Sequence, residues 1–429
     1  MNEPITPKPI IRPALSLDLK TVAVAYYAAH HTQGCPDGQS GSANFIDTVK
    51  AKLGFIPIID LAVSALALAV FSRTKNHPKA GAEATMTYHR LLQNIQKTMG
   101  SRELEVIEAN LVAIKIMGRF EDAVYESDAD RSPTSIMSSL KSFAHHDGSL
   151  ALLRLWKDSN AQSKQANDVV MHTRRGILRS CLLRGSTVPE WLHDGASYGE
   201  HGTDLEYDDV IVRILNLRQR LSVLLEGEKT PFRRRAEYSK MVNWAGKEAR
   251  EIDQALQNYV SHMPPGWGYQ KYDQPASHPW PIENFCVSPW MQYFVTNMLV
   301  TSTQLRILQL SRRLYLSDPL LGIAEEACTI HLVMQAEDLI HSIPYCLQSV
   351  QIKDGIEALS NAGTVTSIVD EEVKPYMVSQ VAWPMTVASG IGNLTPEHRA
   401  WFRSELARLG RIVGYGVFAC AEGGDWLNL

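Results

Sequence analysis

Tyr88-His89-Arg90-Leu91-Leu92-Gln93-Asn94-Ile95-Gln96-Lys97-Thr98-Met99-Gly100-Ser101-Arg102-Glu103-Leu104-Glu105-Val106-Ile107 is the stretch that decides the fold. Tyr88, Leu91, Leu92, Ile95 and Met99 recur at i, i+3, i+4, i+7 and i+11, which puts them in one stripe along a helix. Gly100 ends that helix. Ser101 is expected to cap the next, with Glu103 and Glu105 in a first turn whose unpaired N–H groups favour negative charge. Leu104, Ile107, Leu111 and Ile114 give the second helix its own stripe. Two helices joined by so short a connection are expected to form an antiparallel hairpin.

The same period recurs on both sides. Ser149–Trp156 is apolar, Ile177–Leu183 runs to a stop at Pro189, and Val210, Ile214, Leu217, Leu221 and Leu224 form another stripe. Phe294–Tyr315 and Ala324–Ile343 are long and helical. Thr395-Pro396-Glu397 starts a last helix: threonine caps, proline supplies a preset φ, and glutamate sits in the first turn. Alternating strand-like runs are scarce. The expected fold is all-α, an array of helical hairpins in one large domain over residues 17–429, after a Pro-rich segment at 1–16. Asp194–Tyr207 and Met263–Pro289 are expected to be irregular, and the second is long enough to suggest a role of its own.

Composition narrows the function. The 429 residues carry 42 Lys+Arg against 46 Asp+Glu, a formal net charge of −4, so no basic face for duplex DNA is apparent and no direct nucleic-acid contact is expected. The six cysteines are scattered without a Cys-x-x-Cys pair, which argues for a reducing compartment, cytoplasmic or nuclear, and against structural zinc. Gly54–Phe71 is the most hydrophobic stretch. It holds Pro57, Asp60 and Ser64, and a buried core helix explains it better than a membrane span.

The order of segments resembles the fungal-specific transcription factor domain, the effector region of zinc-cluster regulators. The likeness spans roughly Leu17 to Trp426. It rests on Tyr26-Tyr27, then Phe55-Ile56-Pro57 leading into Ala65-Leu66-Ala67-Leu68-Ala69, then Tyr88 to Leu92. His146-Asp147-Gly148-Ser149-Leu150-Ala151-Leu152-Leu153-Arg154 follows, with Asn297 to Arg306-Ile307-Leu308, Trp383-Pro384 and Pro396 to Trp401 after it. The family's DNA-reading module needs six cysteines packed within a few tens of residues; only Cys35 lies near the N-terminus, so that module is missing. The family's arginine shortly after the helix asparagine is missing too, since Leu299 and Val300 follow Asn297-Met298.

Several motifs offer chemistry. Asp204, Glu206, Asp208 and Asp209 approach the aspartate-rich motif that holds diphosphate through magnesium, but the third carboxylate is replaced by Val212; an acidic helix start explains them better. Glu337 and His341 share a helix face near His331, without the further ligands a metal needs. Gly195-Ala196-Ser197-Tyr198-Gly199 matches a nucleophile elbow in letters, without the strand before it or the helix after it; a flexible loop is expected. No nucleotide-binding, metal or cofactor motif is convincing. His146 is a candidate hydrogen-bond donor and general acid, alongside Tyr293; packing explains it as well, with Asp147 capping the helix that follows. Trp267, Tyr269, Trp280 and Trp290 are candidate ligand-binding residues, since aromatics in an apolar recess wrap flat molecules. They serve equally to fill the core under a long loop.

Two functions remain open. As the resemblance implies, the chain is a metabolite-binding effector of fungal secondary metabolism that works through a protein partner or as a homodimer. Alternatively, it is a cofactor-free enzyme built on that fold. A pericyclic cyclisation, such as an intramolecular Diels–Alder closure of a terpenoid or polyketide, fits a pocket that needs only to fold its substrate and polarise a carbonyl.

Overall fold

A computed structural model of the chain describes residues 18–31, 57–126, 140–159, 166–227, 235–264, 287–315, 318–347, 373–423 and 426–429, together with the backbone of four short strands. The Pro-rich segment 1–16 lies outside them, as do Trp267 and Tyr269.

The hydrophobic periodicity resolves into thirteen α-helices among the described residues. They are α1 (Leu19–His31), α2 (Pro57–Thr74), α3 (Pro78–Thr98), α4 (Leu104–Val124), α5 (Ser142–Ser159), α6 (Asp168–Arg184), α7 (Gly202–Gly227), α8 (Arg235–Ser261), α9 (Val287–Leu314), α10 (Pro319–Cys346), α11 (Pro375–Gly390), α12 (Pro396–Val413) and α13 (Gly416–Ala419). Two small antiparallel ribbons accompany them. β1 (Lys271–Tyr272) pairs with β2 (Trp280–Pro281), and β3 (Val350–Lys353) with β4 (Thr364–Ser367). The fold is an all-α array.

Helix α2 explains the architecture. Its Pro57–Thr74 stretch has a mean hydropathy of 1.5 and is long and apolar enough to cross a membrane, yet 61% of that window is buried inside the protein. Every residue from Ala62 to Val70 is buried, which a helix achieves only when neighbours surround it. Those neighbours are α1, α3, α4 and α12. Each fully buried leucine, such as Leu66 or Leu68, contributes roughly 1.5–3 kcal/mol relative to exposure. The pair α3 and α4 departs from the expected hairpin: each packs far more extensively on α2 than on its partner. Met99, expected in the stripe, is exposed.

The later helices pair in order, α7 with α8, α8 with α9, α9 with α10. The chain then returns: α11 packs on α9 and touches α1, while α12 touches α2.

Capping sets several boundaries. Asn167 caps α6 by accepting from the N–H groups of Val169 and Val170, and Gly185, at φ 61°, closes it in the left-handed region. Thr395 caps α12 with Pro396 behind it, as its sequence predicts. Two expected caps are corrected. Ser101 Oγ accepts from Glu103 N, but helix α4 starts only at Leu104, with Glu103 as its cap residue. Asp147 lies inside α5, whose first turn begins at Ser142, and forms an ion pair with Arg184 at 2.8 Å.

Candidate functional site

The residues proposed from sequence do not converge. His146 is mostly buried on α5, beside Phe143 and near Arg184; its Nδ1 is buried with no hydrogen-bond partner among the described residues, and burial lowers its pKa to about 4. Tyr293 is on α9, where Gln257 and Asn297 donate to its hydroxyl at 3.5 and 3.2 Å. The described contacts of these two residues have no member in common. Trp290 packs edge-on against Tyr293 at 5.4 Å. Trp280 belongs to β2, which lies against α10.

The acidic run does open a helix, with Asp204 in the first turn of α7, but its later members Glu206 and Asp208 are explained by partners from elsewhere in the chain. Every member has a basic partner: Asp204 binds Arg175 at 3.1 Å, Glu206 lies 2.9 Å from His262, Asp208 binds Arg174, and Asp209 approaches Arg213 at 3.9 Å. Helix α7 starts at Gly202, so Asp208 is well inside it. The Gly195–Gly199 stretch holds one short 3-10 turn, Ala196–Tyr198, rather than a flexible loop. Ser197 donates to Asp194 and the buried Tyr198 donates to the carbonyl of Trp191, so the seryl oxygen has an aspartate for a neighbour. No group of three His, Cys, Asp or Glu side chains among the described residues is placed to hold a metal.

A different cluster emerges from residues that sequence reasoning passed over. Lys115, Arg119 and Asp122 recur at i, i+4 and i+7 on α4. His172, Arg175 and Arg179 recur at i, i+3 and i+7 on α6, and these two helices pack together. Lys115 is held well below its ordinary pKa, first by burial, then by the charges of Arg119, Arg179 and Arg175. Burial brings His172 to about 3, helped by Lys115 and Arg175. Burial raises Asp122 to about 6 against the pull of Ser142 and Arg119.

Aromatic side chains close the space around these cations. Trp383 of α11 lies under the Arg179 guanidinium, 5.1 Å from the ring centre. Tyr207 of α7 hydrogen-bonds Thr296 of α9 at 2.8 Å, and burial pushes its hydroxyl up to about 12. Burial works against the Arg119 charge, while its hydrogen bond with Tyr27 and the nearby Asp122 favour it. Tyr27 stacks face to face on His31 at 4.6 Å. The Nε2 of His31 is buried, with no hydrogen-bond partner among the described residues. Tyr27 and Trp383 are both residues of the motifs quoted above.

This cluster borders open space. Arg179 keeps more than a third of its surface accessible, although burial is the strongest influence on its ionisation. Gly176 stands between His172 and Arg179 on the same face of α6, and a Cβ built there meets nothing within 4 Å. Lys115, Arg119, His172, Arg175 and Tyr207 are each partly accessible as well. The arrangement is a cluster of cations and tyrosines where α4 and α6 pack, with donors for an acceptor group on a ligand.

Its sequence signal was present: basic residues four apart inside the apolar run Leu111–Phe120, and three bases among the apolar residues of α6. Charged side chains on a core-facing stripe are expensive unless they serve a purpose.

Comparison with family models, with curated proteins and with solved structures finds no match to this chain.

Proposed function

We propose that the protein is a helical ligand-binding protein of fungal secondary metabolism, related to the effector domain of fungal transcription factors. The carrying observation is the open space at the Gly176 Cβ position, one turn before the accessible Arg179 on the same helix; we take that space as a chamber at the contact of α4 and α6. A small metabolite occupies this chamber, and the protein works in the cytoplasm or nucleus through a partner regulator rather than by touching DNA. Nile red, a neutral dye that brightens in apolar surroundings, tests the chamber. The wild-type chain is expected to bind and brighten it, and Gly176→Phe, which fills the space without altering charge, to abolish binding while keeping the helical circular dichroism. No binding, or binding indifferent to Gly176→Phe, overturns the proposal.

The cyclase alternative is favoured by the fixed donors Arg179 and Tyr207, which suit a carbonyl whose polarisation speeds ring closure. Deleting the gene separates the two. An accumulating uncyclised precursor supports the enzyme, and a fall in neighbouring transcripts without a precursor supports the effector.

A partner surface has its own support. Leu320, Ile323, Ile330 and Met334 are exposed on α10 at heptad spacing, on a helix with four acids and no lysine or arginine. The matching occupant is an amphipathic partner helix with basic flanks. A synthetic leucine-heptad peptide flanked by lysines should bind, and the same peptide flanked by glutamates should not. Equal binding of both, or of neither, removes the surface from the proposal.

A further inference from the structure

We infer that the chamber takes a small molecule bearing a single carboxylate, seated against Arg179 between α4 and α6; this rests on the chamber being a ligand site.

The first support is the local charge. Arg174 is matched by Asp208, and Arg175 by Glu200 and Asp204. Arg119 has a hydrogen bond with Tyr27 and the nearby Asp122 to sustain its charge. Arg179 has no carboxylate partner among the described residues; its described neighbours are Trp383, Tyr207 and two further arginines. A guanidinium in that position keeps solvent as its counterpart or receives an anion from outside. Its planar fork matches a carboxylate, and the Trp383 indole beneath it shields one face from water.

The second support is the open volume. The space at Gly176 is on the helix face that carries Arg179 one turn on and His172 one turn back, so the rest of the molecule has somewhere to go. Trp383 underneath and Tyr207 from α7 offer it apolar surface with polar tips.

The third is the charge the cluster tolerates. One uncompensated guanidinium suits a monoanion; a diphosphate would bring several negative charges. Lys115 supplies adjustment. Its charged form is opposed by Arg119, Arg179 and Arg175, and a carboxylate placed among them relieves that opposition. Binding is therefore expected to take up a proton and to tighten as pH falls. The groups facing this exchange are Lys115, Arg119 and Asp122 on α4, His172 and Arg175 on α6, and Tyr207 on α7.

The test uses the full chain in titration calorimetry with decanoate, decanol and decyl phosphate. Decanoate is expected to bind at least about tenfold more tightly than decanol, the size of one charge-assisted hydrogen bond. Arg179→Gln should bring that ratio close to one while decanol binding stays put, and Arg179→Lys should keep part of it. Titrating decanoate in two buffers of different ionisation enthalpy should reveal proton uptake. Equal affinity for decanoate and decanol, with decanol binding lost in Gly176→Phe, overturns the carboxylate and leaves the chamber standing. Tighter binding of decyl phosphate overturns the carboxylate in favour of a phosphate. Binding of none of the three removes the chamber along with the inference.

Discussion

Arg174 grips Asp208 with both ends of its guanidinium, Nη1 donating to Oδ1 at 2.5 Å and Nη2 to Oδ2 at 2.8 Å, and Nε donates to the carbonyl of Leu192 at 2.8 Å. The Arg174 side chain is fully buried and that of Asp208 is 6% exposed. Helices α6 and α7 and the turns at 190–198 therefore meet on one ion pair. Removing Asp208 leaves the Arg174 charge buried with only Glu200, 4.0 Å away and already bound to Arg175, as a counter-charge. Asp208→Ala is expected to cost about 3–5 kcal/mol in urea unfolding. The double variant Arg174→Met with Asp208→Leu should lose much less, because it removes both desolvated charges together. A loss in Asp208→Ala under 1 kcal/mol would contradict this account.

That pair also shows what the sequence could convey. Helix existence and type were legible from periodicity: the stripe of Val210, Ile214, Leu217 and Leu221 is buried as expected, and Thr395-Pro396 caps where it should. Tertiary partnership was not. Asp208 looks like a helix-start acid because local spacing cannot reveal Arg174, 34 residues away. Asp147 failed as a cap for a similar reason: α5 begins one turn and more earlier, at a Ser-Phe-Ala run with little polar punctuation. The aromatic segment drew attention by composition, whereas the chamber arises from bases spaced along two helices that sequence alone does not place face to face. The bases of α4 and α6 read as solvated faces until the helices are packed.

Acid should weaken the fold through its buried imidazoles. Burial lowers His31 and His172 to about 3 and His146 to about 4 in the folded chain. In the unfolded chain each titrates near 6.5. A base depressed by folding contributes its full stability above the unfolded pKa and loses it as pH falls toward the folded one. Asp122 acts in the opposite sense. Burial raises it to about 6, so the folded state gains a proton there first and is favoured as pH falls toward the unfolded value. Three histidines against one aspartate leave a net difference of about two protons near pH 5. Unfolding free energy should fall there by at most about 2–3 kcal/mol per pH unit, less where partial exposure screens a ring. Urea denaturation at pH 7, 6 and 5 measures this, and a flat profile would refute it.

Replacing Lys115 with methionine should stabilise the protein. Burial and three arginines hold its pKa well below the ordinary value. As with the histidines, a depressed base has its full stability only above its unfolded pKa, near 10.5, and loses it below. At neutral pH the lysine is therefore a net cost. Lys115→Met is expected to raise the unfolding free energy at pH 7, with the advantage shrinking as pH approaches 10.5. The same variant should lose the proton uptake that accompanies decanoate binding. A destabilised variant would mean that the amine is held by bonds stronger than its desolvation.

Two glycines give opposite expectations from one substitution. Gly416 opens α13 against the end of α4, where an added Cβ would fall 2.0 Å from the carbonyl oxygen of Tyr125 and 3.0 Å from that of Ala123. Both obstacles are backbone, so neither can rotate aside, and α13 or the end of α4 must move. Gly416→Ala is expected to cost about 1–3 kcal/mol, the usual range for overpacking, and to loosen Tyr415 from Tyr27 and Arg119. Gly176 lies inside α6 with open space at its Cβ position. Alanine there removes backbone freedom from the unfolded chain and clashes with nothing, so Gly176→Ala should stabilise by about 0.5–1 kcal/mol. Thermal unfolding of the two variants beside the parent checks both signs. If Gly176→Ala is destabilising, the space beside it is already filled, and the chamber between α4 and α6 is not there.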